Sequence, residues 1–136
     1  MSQSAILCNG PYQVMASDVQ VAPRIPSIAL ADLIVFSKSP GNLLIDIRPQ
    51  EYYIKKHLPN AINIPPNTEL EIIISQWKRQ LLSSSNVIVY GISLTDSNSR
   101  RMAEKLQQIG VQSIYIYCDG IQQWINCDLP TETLDE

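Results

Sequence analysis

The pattern that most restricts this chain is the alternation of short, mostly apolar runs with stretches of helical spacing. Leu43-Leu44-Ile45-Asp46-Ile47, Val87-Ile88-Val89-Tyr90 and Ile114-Tyr115-Ile116-Tyr117 are each bounded by turn-forming residues. A strand that is apolar on both sides needs cover on both faces, so these runs read as buried strands. Ala61–Ile64 reads as another short strand, closed by Pro65-Pro66. Between the runs lie helical signals. Ile28, Leu30, Leu33, Ile34 and Phe36 have mixed helical spacing behind Ser27, a candidate N-cap. Gln50–Lys56 supplies a turn or two. Thr68 and Glu71 stand at capping-box spacing ahead of the stripe Leu70, Ile73, Ile74, Trp77 and Leu81, which predicts a helix over 69–82. A helix over 99–109 places Met102, Ala103, Leu106 and Ile109 inward and meets Gly110 as its cap, and 120–126 forms a short helix around Trp124. Strands alternating with helices predict an α/β fold, a mainly parallel sheet with helices on both faces.

The length of 136 residues fits one domain, since domains cluster at about 100–150 residues. Three parts are expected: an arm or extra edge element over 1–22, the domain over 23–131 and a short tail over 132–136. Within the arm, Asn9-Gly10-Pro11 is a breaker, and Val19–Val21 reads as an edge strand or a free segment. A net charge of −3 argues against a nucleic-acid footprint, which needs a basic face. No apolar run approaches the ~20 residues that span a bilayer. Met1-Ser2-Gln3-Ser4 has neither a basic n-region nor an apolar h-region, so a cytoplasmic location is expected, with no membrane partner. Cys8, Cys118 and Cys127 cannot all pair and form no C-x-x-C, so reduced thiols are expected, with no metal and no cofactor. Any catalysis by a Ser-His or Cys-His pair rests on His57, the sole histidine.

Open α/β sheets bind ligands at the C-terminal strand ends, where loops feed helix N-termini and backbone N–H groups favour anions. The loop in that position is Gly91-Ile92-Ser93-Leu94-Thr95-Asp96-Ser97-Asn98, continuing into Ser99. Asp46-Ile47-Arg48 is a second candidate at the end of its own strand. Such a strand-end Asp–Arg pair usually orders a loop. The aromatics have plain explanations: Trp77 and Trp124 as core, one of Tyr52 and Tyr53 buried, and Tyr115 and Tyr117 on one strand face.

At this point the residues resemble the rhodanese-like domains. Leu44-Ile45-Asp46-Ile47-Arg48-Pro49-Gln50-Glu51-Tyr52 is similar to that family's hydrophobic-I-D-x-R-x-x-x-E-[YF] segment. Lys56-His57-Leu58-Pro59-Asn60-Ala61-Ile62-Asn63-Ile64-Pro65 resembles its G-H-I-x-G-A-x-N-I-P continuation, with Lys56 and Asn60 in place of glycines. Leu106–Gly110, Asp119–Trp124 and Asp128–Thr131 are similar to L-x-x-x-G, G-G-x-x-x-W and G-L-P-V. The ordered set covers about residues 24–131. It implies a rhodanese fold with a five-stranded parallel core, in which Asp46, Arg48, Glu51, His57, Gly120 and Trp124 hold structural positions.

The resemblance also implies a place for chemistry. Active members carry a cysteine directly after the strand matching Val87–Tyr90; it takes sulfane sulfur from a donor such as thiosulfate and passes it on as a persulfide. The thiolate is the nucleophile, and inward-pointing amides stabilise the bound anion. Here V-Y-C reads Val89-Tyr90-Gly91. In the longer-loop variety a second cysteine falls on Asp96, with its following serine matching Ser99; a shorter alignment from the helix puts the cysteine at Ser93. No sulfur stands at any of the three. Ser93 lacks a base, Asp96 suits a helix cap better than an anion cradle, and Arg100 and Arg101 read as solvated. Cys118 and Cys127 match no catalytic position. The reading is a rhodanese-like domain without sulfurtransferase activity, a binding or regulatory module whose 91–99 loop takes a protein partner or a small anion. The alternative is an active thiosulfate sulfurtransferase using a displaced cysteine. The phosphatase use of this fold fails on the same missing cysteine, and a scaffold that binds nothing is a third possibility.

Overall fold

The structure is a computed structural model and describes residues 24–94 and 97–134. The expectations for Val19–Val21, for the 1–22 arm and for Thr95 and Asp96 fall outside the described residues. Among these residues four strands form one sheet: β1 (Asn42–Asp46), β2 (Ile62–Asn63), β3 (Asn86–Tyr90) and β4 (Ile114–Tyr117), in the order β2-β1-β3-β4. Every pairing is parallel. The helices among the described residues are α1 (Leu30–Ser37), α2 (Gln50–Lys55), α3 (Leu70–Ser83), α4 (Asn98–Ile109) and α5 (Gly120–Asn126).

Register decides which side chains meet. Leu43 pairs with Val87 and Val87 with Ile114; Ile45 pairs with Val89 and Val89 with Ile116. Side chains alternate between sheet faces, so these two rows share a face. They pack against Ile73 and Leu81 of α3 and Met102, Ala103 and Leu106 of α4. The opposite rows, Leu44, Ile88, Tyr90 and Tyr117, pack against Leu33 of α1, Tyr53 of α2 and Ile121 and Trp124 of α5. The result is three layers, with α3 and α4 on one face of the sheet and α1, α2 and α5 on the other. Full burial of each Leu or Ile in these rows contributes about 1.5–3 kcal/mol.

Several local expectations are corrected. The fifth strand is absent among the described residues; in its place Ser27 makes a single bridge to Ile116 on the outer edge of β4. Ser27 is therefore not an N-cap: Ala29 holds that position without a side-chain cap. The capping box does not form either. Glu69 is the N-cap of α3, and the Thr68 hydroxyl donates instead to Pro65 O at 2.7 Å, a turn that competes for the same side chain. On α3 the buried residues are Ile73 and Leu81; Trp77 is half-buried and Ile74 stays exposed, so the stripe is narrower than its spacing implied. Gly110 does cap α4, at φ 114°, with the Val111 N–H donating to Leu106 O at 3.1 Å. Among the described residues Cys127 is a free, exposed thiol.

The segment 132–134, expected as a tail, hydrogen-bonds to the domain. Glu132 pairs with His57 through both backbone groups, at 2.9 and 2.8 Å, and the Leu134 N–H donates to Ile54 O at 2.9 Å. No helix among the described residues is long and apolar enough to cross a membrane.

Candidate functional site

At the C-terminal edge of the sheet a buried charge organises two loops. Asp46 ends β1 fully buried and lies in register with Tyr90, the last residue of β3. A carboxylate in that position is tolerated only if paired and hydrogen-bonded. Four donors meet it. The Arg48 backbone N–H reaches Oδ1 at 2.9 Å, Arg48 Nε reaches both oxygens at 3.1 and 3.2 Å, and Nη2 reaches Oδ2 at 2.8 Å. The Tyr90 hydroxyl donates to Oδ2 at 2.6 Å. Tyr90 in turn accepts the Leu58 N–H at 3.1 Å, and Arg48 Nη2 also donates to Lys56 O. Asn63 Nδ2 holds Asp46 O and Arg48 O at 3.0 and 2.9 Å. Burial, followed by the Asp46 charge and the hydrogen bond to it, pushes the Tyr90 hydroxyl well above the usual tyrosine range, so it remains a donor.

Tyr90 and Asn63 were not singled out as site residues from sequence. The signal was available in principle: Tyr90 is the polar-tipped end of an apolar strand and lies directly before the candidate loop. The Asp46–Arg48 pair bonds within its own strand end and, through Arg48 Nη2, to Lys56 O.

His57 is buried at 3% exposure. Its ring stacks on Tyr53 with centroids 3.9 Å apart and an interplanar angle of 14°, and Nδ1 lies 2.7 Å from Tyr53 O. Nε2 is 3.9 Å from a carboxylate oxygen of Glu132. These contacts tie His57 to α2 and the C-terminal segment; none of them is with the 91–99 loop. Glu51 lies exposed in the first turn of α2.

The loop after β3 begins pressed against the start of α5. Gly91 is buried, and its carbonyl accepts the Ile121 N–H at 3.0 Å. The next carbonyl, of Ile92, accepts the Gln122 N–H at 3.1 Å. Gly120 allows this approach: its φ is +70°, and a Cβ there would lie 2.4 Å from Ile92 O. Only glycine meets both conditions. Trp124, one turn further along α5, donates from Nε1 to Pro130 O at 2.7 Å and anchors that helix to the C-terminal segment.

Beyond Gly91 the loop turns outward. Ile92 and Leu94 are 48% and 62% exposed, whereas Ser93 is half-buried. Ser97 precedes α4 without a side-chain cap, Asn98 opens the helix, and Ser99 is buried at 5% exposure. Arg101 is exposed and Arg100 half-buried. Among the described loop residues none carries sulfur, and no group of three or more His, Cys, Asp or Glu among the described residues could hold a metal. Cys118 follows β4, and Cys127 caps α5 at the end away from the loop, about 10 Å along the helix axis. The arrangement offers outward apolar side chains and a helix N-terminus, which suit non-covalent contact.

Known proteins share this fold and sequence pattern. The chain is 32% identical over 89 residues to an uncharacterized protein of Buchnera aphidicola subsp. Schizaphis graminum, covering 65% of this chain and 57% of that one. It is 26% identical over 109 residues to the adenylyltransferase and sulfurtransferase MOCS3 of Arabidopsis thaliana, covering 71% of this chain and 24% of that protein. The chain thus spans little more than half of the first relative and about a quarter of the second. Among solved structures, the BH2092 protein of Bacillus halodurans superposes with a TM-score of 0.69 at 25% identity, over 79% of this chain and 77% of that one. The family model of the rhodanese-like domain matches residues 30–127, from the first residue of α1 to the cap of α5, and the chain belongs to that family.

Proposed function

We propose that this domain is a binding or regulatory module on a sulfurtransferase frame, in which the 91–99 loop holds a protein segment or a small anion without covalent chemistry. The observation that carries this reading is Gly91. It occupies the first position after β3, where sulfur transfer needs a thiolate to carry the persulfide. Neither Ser93 nor Ser99 can replace it, because a serine nucleophile requires a base and the His57 ring is engaged with Tyr53 and Glu132. The exposed Ile92 and Leu94 favour a protein segment over a free anion as the occupant. Relatives include a protein named as a sulfurtransferase, so the frame supports that chemistry elsewhere.

The test is thiosulfate:cyanide sulfur transfer by the purified protein, with mass spectrometry after exposure to the donor. The expected result is no turnover and no added sulfur on any cysteine. Turnover that disappears in Cys127→Ser or Cys118→Ser would establish the displaced-cysteine enzyme instead. Gly91→Cys then probes the loop itself. Among the described glycines the left-handed conformation falls on Gly110 and Gly120, so a cysteine at 91 meets no such strain. Gain of transfer by Gly91→Cys is expected if the cradle persists; absence of any gain in a variant whose loop is unmoved would count against anion binding there.

A further inference from the structure

A second concavity lies at the other end of the sheet. Its lining includes Asn42 and Leu44 of β1, and Asn42 begins the strand that Asp46 ends, about 13 Å away along the backbone. The cavity measures about 690 Å³, within the roughly 300–1,000 Å³ typical of small-molecule sites. Ile34, Leu44, Trp124 and Leu129 give it apolar walls. The Trp124 indole N–H is already satisfied by Pro130 O, so the ring offers only apolar surface. Lys38 lines the rim, exposed and without an ion pair among the described residues. Among the described residues, no acidic side chain contributes to the lining. The Glu132 carboxylate accepts the N–H of Asn60, a lining residue, at 2.9 Å.

We infer that this cavity is a binding site for a small amphipathic monoanion, with its apolar body between α1 and α5 and its carboxylate or sulfonate at Lys38. Volume, apolar walls and one cation at the rim, unpaired among the described residues, together select for that class. A dianion would leave one charge unmatched, and a neutral apolar molecule would leave Lys38 unused. The site is separate from the 91–99 loop, and its occupancy does not depend on what that loop binds.

The sequence holds two tryptophans, so Trp77→Phe leaves Trp124 as the sole tryptophan donor for energy transfer. Titration of that variant with 1-anilinonaphthalene-8-sulfonate is expected to give one saturable site with transfer from Trp124. Octanoate should displace the probe, and octanol should do so at least about ten-fold more weakly. Lys38→Glu, a surface change, should weaken octanoate about ten-fold or more and leave octanol unaltered. Direct excitation of the probe in otherwise native protein supplies the same affinities should Trp77→Phe fold poorly. Non-saturable binding, equal displacement by octanol and octanoate, or indifference to Lys38→Glu would each overturn the inference.

Discussion

Replacing Gly120 by alanine tests how the candidate loop is held. Two penalties combine there. The residue sits at φ +70°, where an L side chain costs about 1–2 kcal/mol. Its Cβ would also lie 2.4 Å from Ile92 O and 2.6 Å from Ser93 N, so the loop must move off α5. Movement strains or breaks the Ile121–Gly91 and Gln122–Ile92 hydrogen bonds, worth about 0.5–1.5 kcal/mol each. The expected loss is about 2–5 kcal/mol. Gly110→Ala is the internal control, because Gly110 also has a positive φ, +114°, but the nearest atom to its Cβ is Leu82 Cδ2 at 3.7 Å. It should cost the strain alone, about 1–2 kcal/mol. Urea unfolding of both variants gives the difference, about 1–3 kcal/mol. That corresponds to roughly 4–12 °C in Tm for a chain of this size. Amide shifts at Gly91–Leu94 should change in Gly120→Ala and stay put in Gly110→Ala. Equal destabilisation of the two variants, or an unmoved loop, would refute the claim that Gly120 exists to admit Ile92.

Tyr90→Phe should lose about 2–4 kcal/mol by urea unfolding, since it strips a charge-assisted hydrogen bond from buried Asp46 and orphans the Leu58 N–H; a loss under about 0.5 kcal/mol would show that the hydroxyl is dispensable. Alkali should destabilise the native protein. Tyr53, Tyr90 and Tyr117 all have hydroxyls raised chiefly by burial, so the unfolded chain releases protons first, from about pH 10. Stability is then fully present below that pH and falls as pH rises towards the raised folded values. Tyr90, fully buried, contributes a slope of up to ~1.4 kcal/mol per pH unit, and the gap between native protein and Tyr90→Phe should narrow above pH 10. A gap that stays constant to pH 11.5 would contradict this assignment.

How legible these features were depends on their range. β1, β3, β4, α4 and α5 followed from apolar runs and helical spacing, because burial on both sheet faces leaves a mark at every position. Gly110 was readable for the same local reason: a cap glycine directly follows its helix. Ser27 and Thr68 misled, since a hydroxyl at a helix start has competing partners nearby. Ser27 lies against the edge of β4, and Thr68 bonds back to Pro65, choices that tertiary contacts and turn geometry settle. The narrow buried stripe of α3 likewise depends on how far the helix overhangs the sheet, which no spacing records. The role of Tyr90 required the register of β1 against β3, a contact 44 residues apart in sequence.

That long-range contact also explains how the frame of the site can be independent of the residue at 91. The peptide joining Tyr90 to Gly91 is fixed from both sides. The Tyr90 hydroxyl is held by Asp46, itself clamped by Arg48, while the Gly91 carbonyl is held by the Ile121 N–H. Neither restraint uses a side chain at 91. Neither the Asp46 cluster nor the hold on the start of α5 therefore draws on a side chain at 91. The same reasoning separates two outcomes that an activity assay alone would merge. Failure of Gly91→Cys to transfer sulfur while its stability and Gly91–Leu94 shifts match the native protein would place the deficit further along the loop; failure with a loosened loop would place it at the restraints themselves.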